Sequence, residues 1–343
     1  MEFNFRRLSF LSAVILRNLK KVNISVTNRC NLRCRTCNIW RIYEHSPQVA
    51  KQELKLKDYE LFFDNFNIWN WISFTGGEPF LRKDLVDIVF AAYERCKSLH
   101  SVSIPTNGYL TEKIVHDVSE ILSFKIPSFY ISISLDGLPE VHDVNRGVDR
   151  SFDHAMSTFN CLRKLRSGGF KVHFEYLISK YNQGRLSELI NTLNLTPNDF
   201  ILTIAQKSFF YDNMFLDIEP NRNILLQDIN WFTSYLKIRS IHDLAQWIFL
   251  KHVSKLDPIP CVGGKHSFYI DPYGRIFPCI LKQTQLGTIK DKSLKLFEAN
   301  PECRCFTPCE GYFAILCSPK NILSIVAKRE ETMEWPEYSS KEH

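Results

Sequence analysis

Three cysteines fall within eight residues, Cys30-Asn-Leu-Arg-Cys34-Arg-Thr-Cys37, with the spacing C-x3-C-x2-C. They follow at once on the apolar run Val22–Val26, so a strand feeds a loop that can wrap three sulfurs around one point. Thiolates are the protein ligands of iron–sulfur clusters. Three of them leave one iron of a [4Fe–4S] cubane open, and an open iron can bind a small molecule. A structural zinc site usually takes four ligands, often as paired C-x2-C knuckles, and this stretch supplies three. A disulfide would leave an odd thiol.

Two further groups carry chemistry. Thr75-Gly76-Gly77-Glu78-Pro79 ends a second apolar run, and paired glycines let backbone approach a ligand closely. Near the C-terminus stand Cys261, Cys279, Cys303, Cys305, Cys309 and Cys317. Cys279 closes Asp271-Pro-Tyr-Gly274-Arg-Ile-Phe-Pro-Cys279, with G-x4-C spacing. Tetrathiolate zinc has similar spacings and is the competing reading of this second group. Cys96 and Cys161 lie inside expected helices, where isolated cysteines behave as small buried hydrophobes.

These residues need a scaffold, and the chain of 343 residues is long enough for one large domain and a small one. Hydrophobic residues make up 45%, which supports a core and excludes disorder. A net charge of +6 is too weak at this length to indicate nucleic acid as a partner. Nine of the eleven cysteines fall in the two groups, which favours metal ligation in a reducing, cytoplasmic compartment over a disulfide scaffold. No apolar run is long enough to span a bilayer. Residues 1–20 read as an amphipathic helix packed on the domain; weak contact with an anionic membrane surface is compatible with it.

The scaffold is an alternation. Strands are expected at Val22–Val26, Ile72–Phe74, Ser101–Pro105, Phe129–Leu135, Phe170–Ile178 and Phe200–Ile204. Helices are expected between them, at Asp58–Trp71, Leu85–Arg95, Thr111–Leu122, Phe152–Leu165 and Arg185–Leu193. Such alternation means an α/β fold with a parallel sheet, whose chemistry collects at the carboxyl ends of the strands. Six β/α units fit residues 21–225, a partial (β/α)6 TIM-like barrel. Residues 226–256 read as a helical linker, 257–317 as a small cysteine-rich α+β domain, and 318–343 as a charged tail. Phe268–Asp271 and Ile276–Pro278 flank a turn at Pro272-Tyr-Gly274 and read as a hairpin.

With C-x3-C-x2-C after the first strand and Gly-Gly-Glu after the second, residues 20–225 resemble the radical S-adenosylmethionine (SAM) enzymes. The resemblance implies that Cys30, Cys34 and Cys37 ligate a [4Fe–4S] cluster whose open iron chelates SAM. It implies that Gly76 and Gly77, with Glu78 nearby, hold the SAM amino group. Thr106 and Asn107 would contact the cofactor, Ser134 and Asp136 would match the family's ribose and carboxylate contacts, and Arg146 or Arg150 would meet the carboxylate. The family's usual aromatic residue before the third cysteine is Thr36 here, with Trp40 a candidate substitute. The C-terminal group resembles the SPASM and twitch extensions, which hold auxiliary iron–sulfur clusters. Two complete four-iron clusters take eight thiolates, and the extension has six. One auxiliary [4Fe–4S] cluster is therefore expected, on Cys261 and Cys279 with two of Cys303, Cys305 and Cys309, or with Cys317.

The activity implied is reductive cleavage of SAM and hydrogen abstraction from a peptide or a small molecule, with flavodoxin or ferredoxin as reductant. On the fifth strand Glu175 or Tyr176 is expected to face the substrate, since alternation admits only one of them. His142, after the fourth strand, is expected near the cofactor or capping a turn. The reading from another class is a non-catalytic iron–sulfur or zinc protein in electron transfer or as a scaffold.

Overall fold

The computed structural model describes Arg6 and residues 18–165, 168–255, 259, 261–295, 297 and 307–317. The expected N-terminal helix and C-terminal tail, together with Cys303 and Cys305, lie outside the described residues.

Six parallel strands alternate with helices. They are β1 (Lys21–Thr27), β2 (Trp71–Gly76), β3 (Ser101–Thr106), β4 (Ser128–Ser134), β5 (Phe170–Ile178) and β6 (Phe200–Ile204). The helices are α1 (Leu56–Asn65), α2 (Leu85–Arg95), α3 (Thr111–Leu122), α4 (Pro139–Arg146), α5 (Ser151–Lys164) and α6 (Leu186–Thr192). After β6 come α7 (Arg222–Tyr235) and α8 (Ile241–Lys255). Each strand pairs with the next in sequence order. The α/β barrel of six units expected from the alternation is the observed fold.

The strands are read differently on their two faces. Val22, Ile24 and Val26 of β1, Ile72 and Phe74 of β2, Phe129 and Ile133 of β4, and Phe174 and Ile178 of β5 are buried outward under the helices. Phe174 stacks on Phe159 of α5 with centroids 3.9 Å apart. Inward stand Lys21, Asn23, Ser73, Ser103, Ser132 and Glu175. Barrel interiors are usually filled by branched apolar side chains, and parallel strands usually read as near-continuous apolar runs. Polar residues alternating into this barrel therefore leave a cavity of about 330 Å³ in place of a packed core.

The C-terminal region continues the sheet. The free edge of β1 is covered by β7 (Ser267–Ile270), parallel and in register from Lys21↔Ser267 to Ile24↔Ile270. An antiparallel hairpin joins β7 to β8 (Arg275–Phe277), and β9 (Gly287–Thr288) follows. At the turn the Asp271 carboxylate accepts from Tyr273 N, Arg275 N and Arg275 Nε, at 3.0, 2.9 and 2.6 Å. The expected hairpin is therefore present, but its strands extend the barrel sheet. An unpaired parallel edge would leave backbone groups open, and β7 removes that edge.

Residues 226–255, read from the sequence as a helical linker packed on the barrel, are helical and lie against it. The α7 and α8 helices pack into the same core as the barrel, and Gln246 of α8 bonds both Leu202 N and Phe200 O, at 3.1 Å each. The last described helix, α9 (Pro308–Leu316), bridges the two ends of the six-strand run. Asn23 of β1 donates to Glu310 at 3.2 Å, and Tyr312 donates to Leu202 O of β6 at 3.2 Å. Among the described residues no helix is long and apolar enough to cross a membrane.

Candidate active site

The cysteine loop is fixed from three sides. At its start, the Glu53 carboxylate accepts from Thr27 Oγ1 (2.5 Å), Tyr43 OH (2.6 Å) and Asn28 N (3.2 Å). Tyr273, at the hairpin turn, accepts from Asn28 Nδ2 at 3.1 Å. In the middle, Arg33 N and Arg35 N donate to Arg146 O and Asn145 O at the end of α4, at 2.9 and 2.8 Å. At its end, Asn38 N donates to Tyr211 O at 2.9 Å and Asn213 Nδ2 to Thr36 O at 2.9 Å.

This framing turns Cys30, Cys34 and Cys37 into the cavity. Burial, with Cys34 beside it, pushes the Cys30 thiol up to about 12. Burial and the neighbouring Cys34 also push Cys37 up, and burial pushes Cys34 up against the pull of Arg146. Three thiols that oppose one another's ionisation are a donor set that needs a positive metal centre to become thiolates. Among the described residues no three ligating groups converge as they would around a single metal ion. In a cubane each of three irons takes its own thiolate, so the sulfurs need not converge on one point. The donor chemistry fits a cluster.

The glycines after β2 have a structural reason. Gly76 has φ +134°, and a Cβ there would collide with Thr27 O; a Cβ on Gly77 would collide with Arg29 O. Gly77 N and Glu78 N donate to those same carbonyls at 2.8 Å each. Gly76 and Gly77 thus let β2 lie against the cysteine loop while lining the cavity. A Gly77→Ala protein is expected to keep its fold and lose at least half of its bound iron, measured by iron content and melting temperature. The collision falls on the loop's own backbone, which must move.

Glu78 departs from its expected place. Its carboxylate is fully buried and turned away from the cavity, accepting from Asn107 N (2.7 Å), Thr106 Oγ1 (2.8 Å) and Phe80 N (3.2 Å). Burial pushes it up to about 7 against those three bonds. Glu78 therefore shapes the turn after β3, and Thr106 and Asn107 line the cavity. Asn107 Nδ2 also reaches Asn31 of the cysteine loop at 2.8 Å.

On β4, Ser134 lines the cavity and Asp136 does not. Asp136 is buried beneath Arg146, whose Nη2 donates to it at 2.8 Å while Nη1 lies 3.9 Å from Cys34 Sγ. Of the two candidate arginines, Arg146 lines the cavity, and the Arg150 side chain is 79% exposed beside Asp153. His142 does cap a turn. It is fully buried on α4, and its Nδ1 accepts from Asp136 N at 3.0 Å. Glu175 faces the cavity, and Tyr176 points outward to Asn182 O at 2.7 Å.

Thr36 and Trp40 both line the cavity beside Cys37. Trp40 Nε1 donates to Cys37 O at 3.1 Å, and the Arg33 and Arg41 guanidiniums lie over its ring at 4.6 and 4.7 Å. Cys96 is a core residue. In the C-terminal group, a Cβ on Gly263 would meet Cys261 Sγ at 3.6 Å and Pro278 O at 3.1 Å, so Cys261 lies close to the residue before Cys279. Cys309 begins α9, and its side chain lies outside the described residues, as do Cys303 and Cys305. Motif reading missed Lys21, Asn23, Trp71, Tyr130, His173 and His242, all at the cavity wall. The signal was present in Val-Asn-Ile-Ser-Val and Phe-Tyr-Ile-Ser-Ile-Ser, where every second residue is polar or aromatic.

Comparison with known proteins agrees with this geometry. Residues 24–193 match the family model described as Radical SAM superfamily. The chain is 33% identical over 161 residues to an Fe-coproporphyrin III synthase of Methanosarcina barkeri, covering 46% of this chain and 37% of that one. It is 26% identical over 271 residues to the antilisterial bacteriocin subtilosin biosynthesis protein AlbA of Bacillus subtilis, covering 77% and 56%. The chain thus spans less than two thirds of the length of either relative. Among solved structures, anSMEcpe with bound AdoMet aligns with TM-score 0.55 at 17% identity over 79% of this chain and 78% of that one. Streptococcus suis SuiB aligns with TM-score 0.54 at 18% identity, over 83% and 67%. These two share the fold. The family match over the barrel, on a chain that places three cysteines and paired glycines around one cavity, shows that this protein belongs to the radical SAM superfamily.

Proposed function

We propose that the protein cleaves SAM reductively and uses the product radical to take hydrogen from a peptide or a small molecule. When bound, the reduced [4Fe–4S] cluster supplies one electron to the sulfonium, giving methionine and a 5′-deoxyadenosyl radical. The chain's residues hold and shield that chemistry. Cys30, Cys34 and Cys37 ligate the cluster. Gly76 and Gly77 offer backbone to the SAM amino group, Arg146 meets its carboxylate, and Ser134 its ribose. Thr106 and Asn107 fix the wall between β2 and β3. The hairpin, α8 and α9 close the barrel against water, which a reactive radical requires.

The observation that carries this reading is the convergence of the three thiols and the Gly76-Gly77 backbone on one cavity at the strand ends. A scaffold or electron carrier needs no such cavity. An auxiliary [4Fe–4S] cluster on Cys261 and Cys279 with other C-terminal cysteines would assist oxidation or bind substrate, and flavodoxin or ferredoxin would supply electrons. Similarity to AlbA, which is named for bacteriocin biosynthesis, favours a peptide. The likeness to a coproporphyrin synthase keeps a small molecule as the second reading.

The test is anaerobic. The reconstituted protein with SAM and dithionite is expected to form 5′-deoxyadenosine and to hold about eight irons, four per cluster. A Cys261→Ala/Cys279→Ala protein should hold about four and still form the nucleoside. A wild-type protein with its full iron that yields no 5′-deoxyadenosine would end the enzyme reading.

A further inference from the structure

The SAM-directed motifs leave the inward face of β5 unassigned, from the level of Ser134 inward. There β5 turns two groups inward, Glu175 beside Ser134 of β4 and His173 beside Ser132. We infer that this inward face of β5 is a substrate subsite for a positively charged, N–H-rich end group, an amine or a guanidine. The inference rests on the radical SAM reading only for what occupies the rest of the cavity.

Charge comes first. Glu175 is a carboxylate enclosed by the barrel, with the Ser132 hydroxyl as its hydrogen-bonding neighbour, and burial opposes its charge. A buried carboxylate without a matching cation is costly to keep. Two non-histidine cations line the cavity among the described residues, Arg146 and Lys21. Arg146 is committed to Asp136 at 2.8 Å. Lys21 lies over the Trp71 ring at 4.8 Å, with Glu310 as its charge neighbour. Arg146 is the cation whose charge favours the Glu175 carboxylate, but it is shared with Asp136, so two carboxylates face one guanidinium and a ligand bringing a cation redresses the excess negative charge.

The walls agree with the charge. His173 and His242 stack at 5.6 Å and 11°, His242 and Tyr130 at 5.7 Å and 20°, and Tyr130 and Trp71 at 6.2 Å and 27°. Aromatic walls of this kind attract a cation or a planar guanidinium. Burial holds both imidazoles neutral, His173 down to about 3 and His242 to about 4, so neither repels a cation. His173 Nδ1 is buried with no hydrogen-bond partner, a group that a ligand can satisfy. Size sets how much enters. A cavity of about 330 Å³ is at the small end for one ligand, so with SAM in place only an end group of the substrate reaches β5.

The test uses reconstituted full-length protein with SAM present and capped amino acids as probes. N-acetylarginine amide and N-acetylglutamate amide are titrated by calorimetry. The arginine probe is expected to bind at least about tenfold more tightly than the glutamate probe. In Glu175→Gln, which keeps shape and removes charge, that preference should disappear, and in His173→Phe the arginine probe should weaken by about threefold. Iron content of each variant verifies that the barrel still holds its cluster. Equal binding of the two probes, binding of neither, or a preference that survives Glu175→Gln overturns the inference. So does a matching loss of SAM affinity in Glu175→Gln, which would assign the carboxylate to the cofactor. Failure of the broader reading shows itself separately, as wild-type protein that does not bind SAM.

Discussion

A Cys34→Ala protein is expected to keep its barrel and lose its iron, and with it 5′-deoxyadenosine formation by about a thousandfold or more, a barrier rise above ~4 kcal/mol. The position is the most closely coupled of the three to charged neighbours. Cys34 is the thiol that Arg146 approaches, at 3.9 Å, and the one whose charge bears on both Cys30 and Cys37. Two remaining thiols cannot hold three irons. The fold survives because the loop is framed by other contacts: Glu53 at its start, the backbone of α4 in its middle and Tyr211 at its end. The measurements are iron and sulfide content, the melting temperature and nucleoside yield under dithionite. Normal iron in Cys34→Ala would place the cluster elsewhere.

Arg146→Met is expected to act on stability and on the cofactor together. The Arg146 and Asp136 side chains are 12% and 3% exposed, so the pair is buried, and removing one partner leaves the other charge unmatched. Breaking such a pair typically costs about 3–5 kcal/mol. The backbone of Asp136 is itself fixed, its N–H donating to His142 Nδ1 and its carbonyl accepting from Asn182 Nδ2 at 2.9 Å, so the residue cannot readily turn its carboxylate to water. An Arg146→Met/Asp136→Leu double variant, with no charge left to strand, should recover most of that stability in urea melts. SAM affinity should stay at least about tenfold weaker in both variants, because the guanidinium proposed to meet the SAM carboxylate is gone. Recovery of SAM affinity along with stability would show that Arg146 serves only Asp136. Loss of affinity with stability restored separates the two roles.

Three residues of the motif-based site change meaning in the structure. Glu78 belongs to the Gly-Gly-Glu signature, yet its carboxylate organises the turn after β3 and does not reach the cavity. The paired glycines serve first to let two backbones touch, Gly77 against Arg29 and Gly76 against Thr27. A motif is a pattern of residue types along the chain, and the same pattern results from contact with a ligand or with another loop. Only the side chain's direction distinguishes them.

The sequence by itself determined the order of the barrel. Alternation of apolar strands with amphipathic helices is a local signal, set by periods of two and 3.6 residues, and the strands fall where those periods place them. It also determined the cysteine loop, because three thiolates in eight residues leave few other uses. The tertiary structure decided what depends on distant residues. It put Glu175 inside and Tyr176 outside, placed Arg146 at the cavity and Arg150 at the surface, and gave the edge of β1 to β7, more than two hundred residues away. It also showed that polar residues on the inward strand faces leave the barrel hollow. Each of these depends on which surfaces meet and how much water is excluded between them, and neither quantity is written in any single stretch of the chain.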